Sequence, residues 1–221
     1  MRKLMVLLAA IALFASPASA FDFDDIEFWV GTGTNRAGLV IDWNDGKQPV
    51  SLARGYRWNG TKTGEDMLAA IAQADSRLYV NVSSPGGFGV ALFGVGYDLN
   101  ENGFGTNPPL NFVNGISVGS PNDNRVASDP ADHYREGWNT AGYWSCWLRQ
   151  STTANWSFSG VGMSGRTLSN GVWDGWSFAP GFNAQRPATP VAAVVPEPGT
   201  LIALAGGLMS LGGLTLRKKT R

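Results

Sequence analysis

TGEDMLAAIAQA (Thr63–Ala74) is followed two residues later by RLYVNV (Arg77–Val82), and this change of period decides the fold class. Thr63 can cap a helix, and Asp66 stands three residues on, where a capping partner belongs. Glu65 and Asp66 favour the positive end of the helix dipole. Met67, Leu68 and Ile71, with Ala70 or Ala74, recur at helical spacing. The pattern predicts a helix over about 64–74, then a strand from Arg77. Working outward, β-branched and aromatic runs predict strands at Glu27–Gly31, Ala37–Trp43, Ser51–Trp58, Phe88–Tyr97, Tyr143–Arg149, Asn155–Ser159 and Gly171–Phe178. Phe21–Glu27 is a lead-in to the first of them. The fold expected is α+β: mostly antiparallel sheet with one main helix packed on it. Alternating βαβ units are absent. Thr32–Arg36 is a turn and no dinucleotide fingerprint, since a third glycine and a following helix are both missing.

The segment from Asn100 to Asp132 is rich in Gly, Asn, Pro and Asp and has little periodicity, apart from short strands expected at Asn111–Val113 and Ile116–Val118. A loop of that length is usually functional or poorly ordered. Ala179–Val195 is rich in Pro and Ala and reads as a linker. The organisation expected is a leader at 1–20, one Trp- and Gly-rich domain at 21–180, a linker at 181–195 and a tail at 196–221.

The two ends carry the strongest functional signal. Arg2 and Lys3 precede an apolar run, and Ala18 and Ala20 form an A-x-A site, the pattern of a secretory signal peptide. This implies export through the Sec machinery and cleavage by signal peptidase. At the other end stand Pro196-Glu197-Pro198-Gly199, an uncharged run Leu201–Leu216 and the basic cluster Arg217, Lys218, Lys219 and Arg221. As a helix the 16-residue run would be roughly 24 Å long, a marginal span of a ~30 Å core. The basic cluster would lie on the cytoplasmic side.

This arrangement resembles the PEP-CTERM sorting signal. The resemblance implies a membrane-embedded, Cys-dependent exosortase that recognises Pro196, Glu197 and Pro198 and removes the tail. It also implies a Gram-negative bacterium. The protein would sit transiently in the inner membrane through its C-terminal helix, then at the cell surface or in the extracellular matrix. A tail that is never cut, leaving an anchored protein, is the alternative.

The targeting segments hold six of the 17 basic residues, so residues 21–195 keep 11 Lys and Arg against 16 Asp and Glu, a net charge of −5. That balance disfavours phosphate backbones and sets nucleic acid aside as a partner. Cys146, the single cysteine, excludes an internal disulfide. Its neighbours Trp144 and Trp147 point to a buried thiol, with an intermolecular disulfide as the alternative. His133 is the only histidine, which excludes multi-His zinc sites. No G-x-S-x-G elbow frames a serine, so His133 reads as a solvated or locally bonded loop residue.

Six of the nine tryptophans, Trp138, Trp144, Trp147, Trp156, Trp173 and Trp176, fall within 39 residues. Strand alternation puts Tyr143, Ser145 and Trp147 on one face and Trp144 and Cys146 on the other, and separates Trp173 from Trp176. Two readings stay open. One is core packing. The other is an exposed aromatic platform in which Trp138, Trp144, Trp147, Trp173 and Trp176 stack on the sugar rings of an extracellular polysaccharide. Tyr143-Trp144-Ser145-x-Trp147 with Gly175-Trp176-x-Phe178 is similar to a pattern in small secreted proteins of unassigned function, with Cys146 where an aromatic is more usual.

Asp98-x-Asn100-x-Asn102-Gly103 matches the first half of a calcium loop, in which alternate oxygen ligands suit a hard cation. Position 12 of such a loop would be Pro109, where a glutamate is needed; Asp129 and Asp132 are possible donors from elsewhere. No other cofactor is expected. No pair of acids stands out for glycoside chemistry. The leading expectation is therefore a non-catalytic structural or glycan-binding protein. The alternative is a secreted hydrolase that attacks polysaccharide with carboxylates.

Overall fold

The structure is a computed structural model that describes residues 21–195. The expected leader, the Pro196-Glu197-Pro198 motif and the apolar tail lie outside the described residues. Among the described residues no helix is long and apolar enough to cross a membrane.

In chain order the elements are β1 Trp29–Gly31, β2 Asn35–Asp42, β3 Ser51–Trp58, α1 Gly64–Ala74, β4 Leu78–Val82, β5 Leu92–Tyr97, β6 Thr106–Asn107, β7 Ile116–Val118, β8 Val126–Ala127, β9 His133–Glu136, β10 Gly142–Arg149, β11 Ser157–Phe158, β12 Val172–Pro180 and β13 Val191–Ala192. A short 3-10 turn at Phe23–Asp25 precedes them. The α+β expectation holds. One large sheet runs β1-β3-β2-β12-β10-β11, with β13 also on β3, and a smaller one runs β7-β4-β5-β9. Their facing sides share one core, including Leu39, Ile41, Tyr56, Val80, Val95, Trp144, Trp176 and Phe178.

α1 contacts β1 and β3 of the large sheet and β4 and β7 of the small one, and so fills the space between them. Its sequence explains its start and its seat. Thr63 Oγ1 accepts from the Asp66 amide at 3.2 Å, and Asp66 Oδ2 accepts from the Thr63 amide at 2.9 Å, a reciprocal cap. Met67, Leu68 and Ile71 are buried in the shared core.

The sheets are mostly antiparallel, but four joins are parallel: β1 with β3, β12 with β2, β13 with β3, and β4 with β7. The central one places Val172 beside Ala37 and Ser177 beside Asp42. Each joins strands distant along the chain, so no local turn signal marks it.

The outer face of the large sheet carries a second cluster of Phe23, Ile26, Val40, Ala53 and Trp173. Here glycine and tryptophan are complementary. Trp173 pairs with Gly38 across β12 and β2, and Trp29 pairs with Gly55 across β1 and β3. A Cβ at Gly38 would lie 2.1 Å from the Trp173 ring, and one at Gly55 would lie 2.3 Å from the Trp29 ring. Each indole therefore lies flat where a bare backbone leaves room for it.

Two expectations need correction. The proposed linker 181–195 lies on the large sheet. β13 pairs with β3, Ala193 is buried, and the Ala193 amide donates to the Ala53 carbonyl at 2.9 Å. β1 covers only Gly55–Arg57 of that edge, so Leu52 and Ala53 remain to be paired by a later segment. The long loop is also tied down. Phe104 stacks on Tyr79 at 4.5 Å, and Arg125 and Asn81 both bond to buried Glu136. The strand expected at Asn111–Val113 is only an isolated bridge from Val113 to Ile116, whereas Ile116–Val118 forms as expected. The loop's own strands are β6 and β8, two residues each.

Candidate functional site

An open groove of 400 Å³ lies beside β10, bordered by Phe88, Trp138, Tyr143, Phe158 and Val161, with Trp144, Cys146 and Trp176 among its lining. Strand alternation turns Trp144 and Cys146 inward together, and Trp176 stands beside Cys146 in register on β12. The Trp144 indole donates to the Arg135 carbonyl at 3.2 Å. These residues form a rigid apolar floor. The rim is far more exposed. Phe88 stands fully exposed at the tip of a turn closed by Gly86 and Gly89, while Phe158 and Trp138 are about half-exposed.

Trp138 is held from two sides. Its ring packs edge-on against Phe93 at 5.2 Å, and its amide donates to Asp123 at 3.0 Å. Asp123 also accepts from the amides of Asn139, Thr140 and Ala141 and from the Thr140 hydroxyl. Burial acts to raise the Asp123 carboxyl. The donors from Thr140, Ala141 and Trp138 outweigh it and hold the group well below the ordinary carboxylate range.

Among the described residues, no Asp, Glu, His, Lys or Arg lines this groove. Its only titratable groups are Tyr143 and Cys146. Burial, followed by the charge of Asp174, pushes the Cys146 thiol up to about 12, which makes it an inert apolar lining residue. This agrees with the buried thiol expected from its neighbours.

The tryptophans do not form the continuous platform considered from the sequence. Trp144, Trp173 and Trp176 are buried. Trp138, Trp144 and Trp176 come together at the groove. Trp147 is half-buried against the edge of Phe158 at 5.6 Å, and its indole donates to Ser145 Oγ at 3.0 Å. Trp173 lies on the opposite face of the large sheet, with Phe23 at 4.5 Å and the Arg149 guanidinium at 4.4 Å. The separation of Trp173 from Trp176 follows the alternation. The division into core and rim follows from what covers each face, which strand period does not encode.

The structure places the suspected cation loop differently. Asp98 Oδ2 accepts from the Gly103 amide at 2.9 Å, and Asp132 Oδ1 accepts from the Leu99 amide at 2.9 Å. Asn100 and Asn102 each donate to Asp129 Oδ2 at 2.9 Å. Asp98, Asn100 and Asn102 are thus gathered with Asp129 and Asp132. As the side chains lie, no three His, Cys, Asp or Glu among the described residues are grouped closely enough to hold a metal. Burial, with the charges of Asp98 and Asp129, raises the Asp132 carboxyl above its ordinary value.

His133 is fully buried rather than solvated. It stacks on Trp43 at 4.4 Å, and its Nδ1 lies 2.9 Å from Asp45 Oδ2. Burial alone would raise Asp45, but the His133 and Lys47 bonds turn the balance and lower it. This is a structural contact between β9 and the turn after β2.

Phe88 and Phe158 were missed as groove residues, and Asp123 as the side chain that holds the Trp138 segment. Phe88 carried a usable signal, since an aromatic between Gly86-Gly87 and Gly89 sits in a turn that cannot bury it. Asp123 carried none, because its five donors come from 138–141, across the chain. No protein family, curated protein or solved structure matches this chain.

Proposed function

We propose that this is an exported, exosortase-sorted surface or extracellular-matrix protein whose folded domain binds polysaccharide without cleaving it. The groove beside β10 carries this reading. It offers exposed Trp138, Phe88 and Phe158 over a fixed apolar floor, and it contains no carboxylate, histidine or cationic side chain. Flat apolar rings match the faces of sugars, and Asn139 and Thr140 beside Trp138 supply exposed polar groups for hydroxyls. A carboxylate hydrolase needs two acids converging on an accessible cleft. Asp98 and Asp132 are buried and do not line this groove.

The test is affinity electrophoresis through gels cast with neutral or acidic soluble polysaccharides, paired with tryptophan fluorescence. Retardation by at least one polysaccharide is expected. Trp138→Ala should weaken it about tenfold, equivalent to ~1.4 kcal/mol, the upper range for a single aromatic contact. Unretarded migration in every gel, or wild-type affinity in both Trp138→Ala and Phe158→Ala, overturns the proposal.

A further inference from the structure

We infer that Asp98 and Asp132, completed by the side-chain amides of Asn100 and Asn102, form a site for one hard divalent cation, calcium by its chemistry. The observation that carries this is a pair of carboxylate oxygens left without donors. Asp98 is 4% exposed and Asp132 is 0% exposed. Asp98 Oδ1 and Asp132 Oδ2 are both buried and have no hydrogen-bond partner. The other oxygen of each is bonded to a backbone amide of the same loop, from Gly103 and from Leu99. Both carboxylates are thereby anchored by one oxygen and leave the second free. An ionised, unpartnered oxygen out of water is unfavourable, and two in one loop are more so. Lys47, the ammonium at this place, donates to the Asp132 backbone carbonyl instead. A bound cation supplies the missing partner for both oxygens.

The remaining ligands are at hand. Asn100 and Asn102 stand inside the turn that the Gly103 amide closes on Asp98, and their amides are held together by bonds to Asp129 Oδ2. Rotation of the amides turns their oxygens towards the ion. Asn100 and Asn102 are exposed, which gives the ion access from solvent. Gly103, at φ +104°, permits the turn that brings its amide back to Asp98. Carboxylate and amide oxygens in an irregular loop suit calcium, which accepts six to eight such ligands, better than magnesium, which demands a near-ideal octahedron. Two carboxylates without a bidentate glutamate place the affinity in the range of extracellular modules, about 10⁻⁴–10⁻³ M.

The inference does not depend on polysaccharide binding and is tested apart from it. Chelator-treated protein is titrated with CaCl₂ and with MgCl₂ by calorimetry and thermal melting. One equivalent of calcium should bind, and Tm should rise with the logarithm of calcium concentration, with a smaller response to magnesium. Asp132→Asn should abolish the calcium response while raising Tm in chelator, because it removes a buried like charge. Absence of calcium heat from the wild type overturns the inference. So does an Asp132→Asn variant that still binds calcium. If that variant does not fold, Asn100→Ala and Asn102→Ala, both at exposed positions, decide the matter: affinity lowered at least tenfold supports the site, and unchanged affinity overturns it.

Discussion

Asp123 shows how a single side chain can set the shape of a surface, here the rim of the groove proposed to bind polysaccharide. Its carboxylate gathers four consecutive backbone amides and a hydroxyl from 138–141, and so fixes the segment that presents Trp138. Because its pKa is lowered on folding, its contribution is present above the unfolded value near 3.8 and is lost as pH falls through the folded value. The wild type should therefore lose stability below about pH 4 more steeply than Asp123→Ala, as read by thermal melts across that range. At neutral pH the Asp123→Ala variant should show faster amide exchange at 138–141 with little change at β10. Parallel acid profiles for the two proteins would remove this role. At this scale the sequence was informative about chemistry and poor about partnership. The buried state of Cys146 could be read from Trp144 and Trp147. The fate of Asp98 depended on Asp132, 34 positions away, and no spacing rule connects them.

Elements built from local signals were the most legible. α1 and β3 have the boundaries expected, because a capping box and a β-branched, aromatic run between turn residues are self-contained. Thr63→Ala should lower stability by about 1 kcal/mol, since it leaves the Asp66 amide without its side-chain partner. For a domain of this size that is a Tm lowered by roughly 2–4 °C. An unchanged melt would mean that the tertiary seat of Met67 and Ile71 alone fixes the start of α1. The short strands β6, β8, β9 and β13 were the least legible. Two to four residues cannot display a period; β9 and β13 add to the edges of β5 and β3, and β6 and β8 pair only with each other. The prolines near β13 made it read as a linker. In fact its few amides, Ala188 to Asp42 and Ala193 to Ala53, are the ones used.

For the molecule as a whole, the fold was legible in the sequence, and the destination is a proposal reached by another route. Periodicity gave α+β with one helix. The resemblance of the tail gave the sorting hypothesis, and the groove gave neither. Its walls come from the Phe88 turn, β10, β12 and the 158–162 loop, which meet only after both sheets have packed. Sorting predicts that mass spectrometry of the native protein finds a C-terminus before Leu201; recovery with 201–221 intact would sink it. The way the C-terminal segment leaves the fold bears on any such attachment. Arg77 grips the Val194 carbonyl at 2.7 Å, and β13 runs parallel to β3 just before it. A pull applied from beyond Val195 therefore meets this clip before any force reaches the groove. Two residues of parallel pairing and one guanidinium contact form a mechanical fuse. They would yield first, lengthening the tether while β10, β12 and the groove stay loaded only through the remaining sheet.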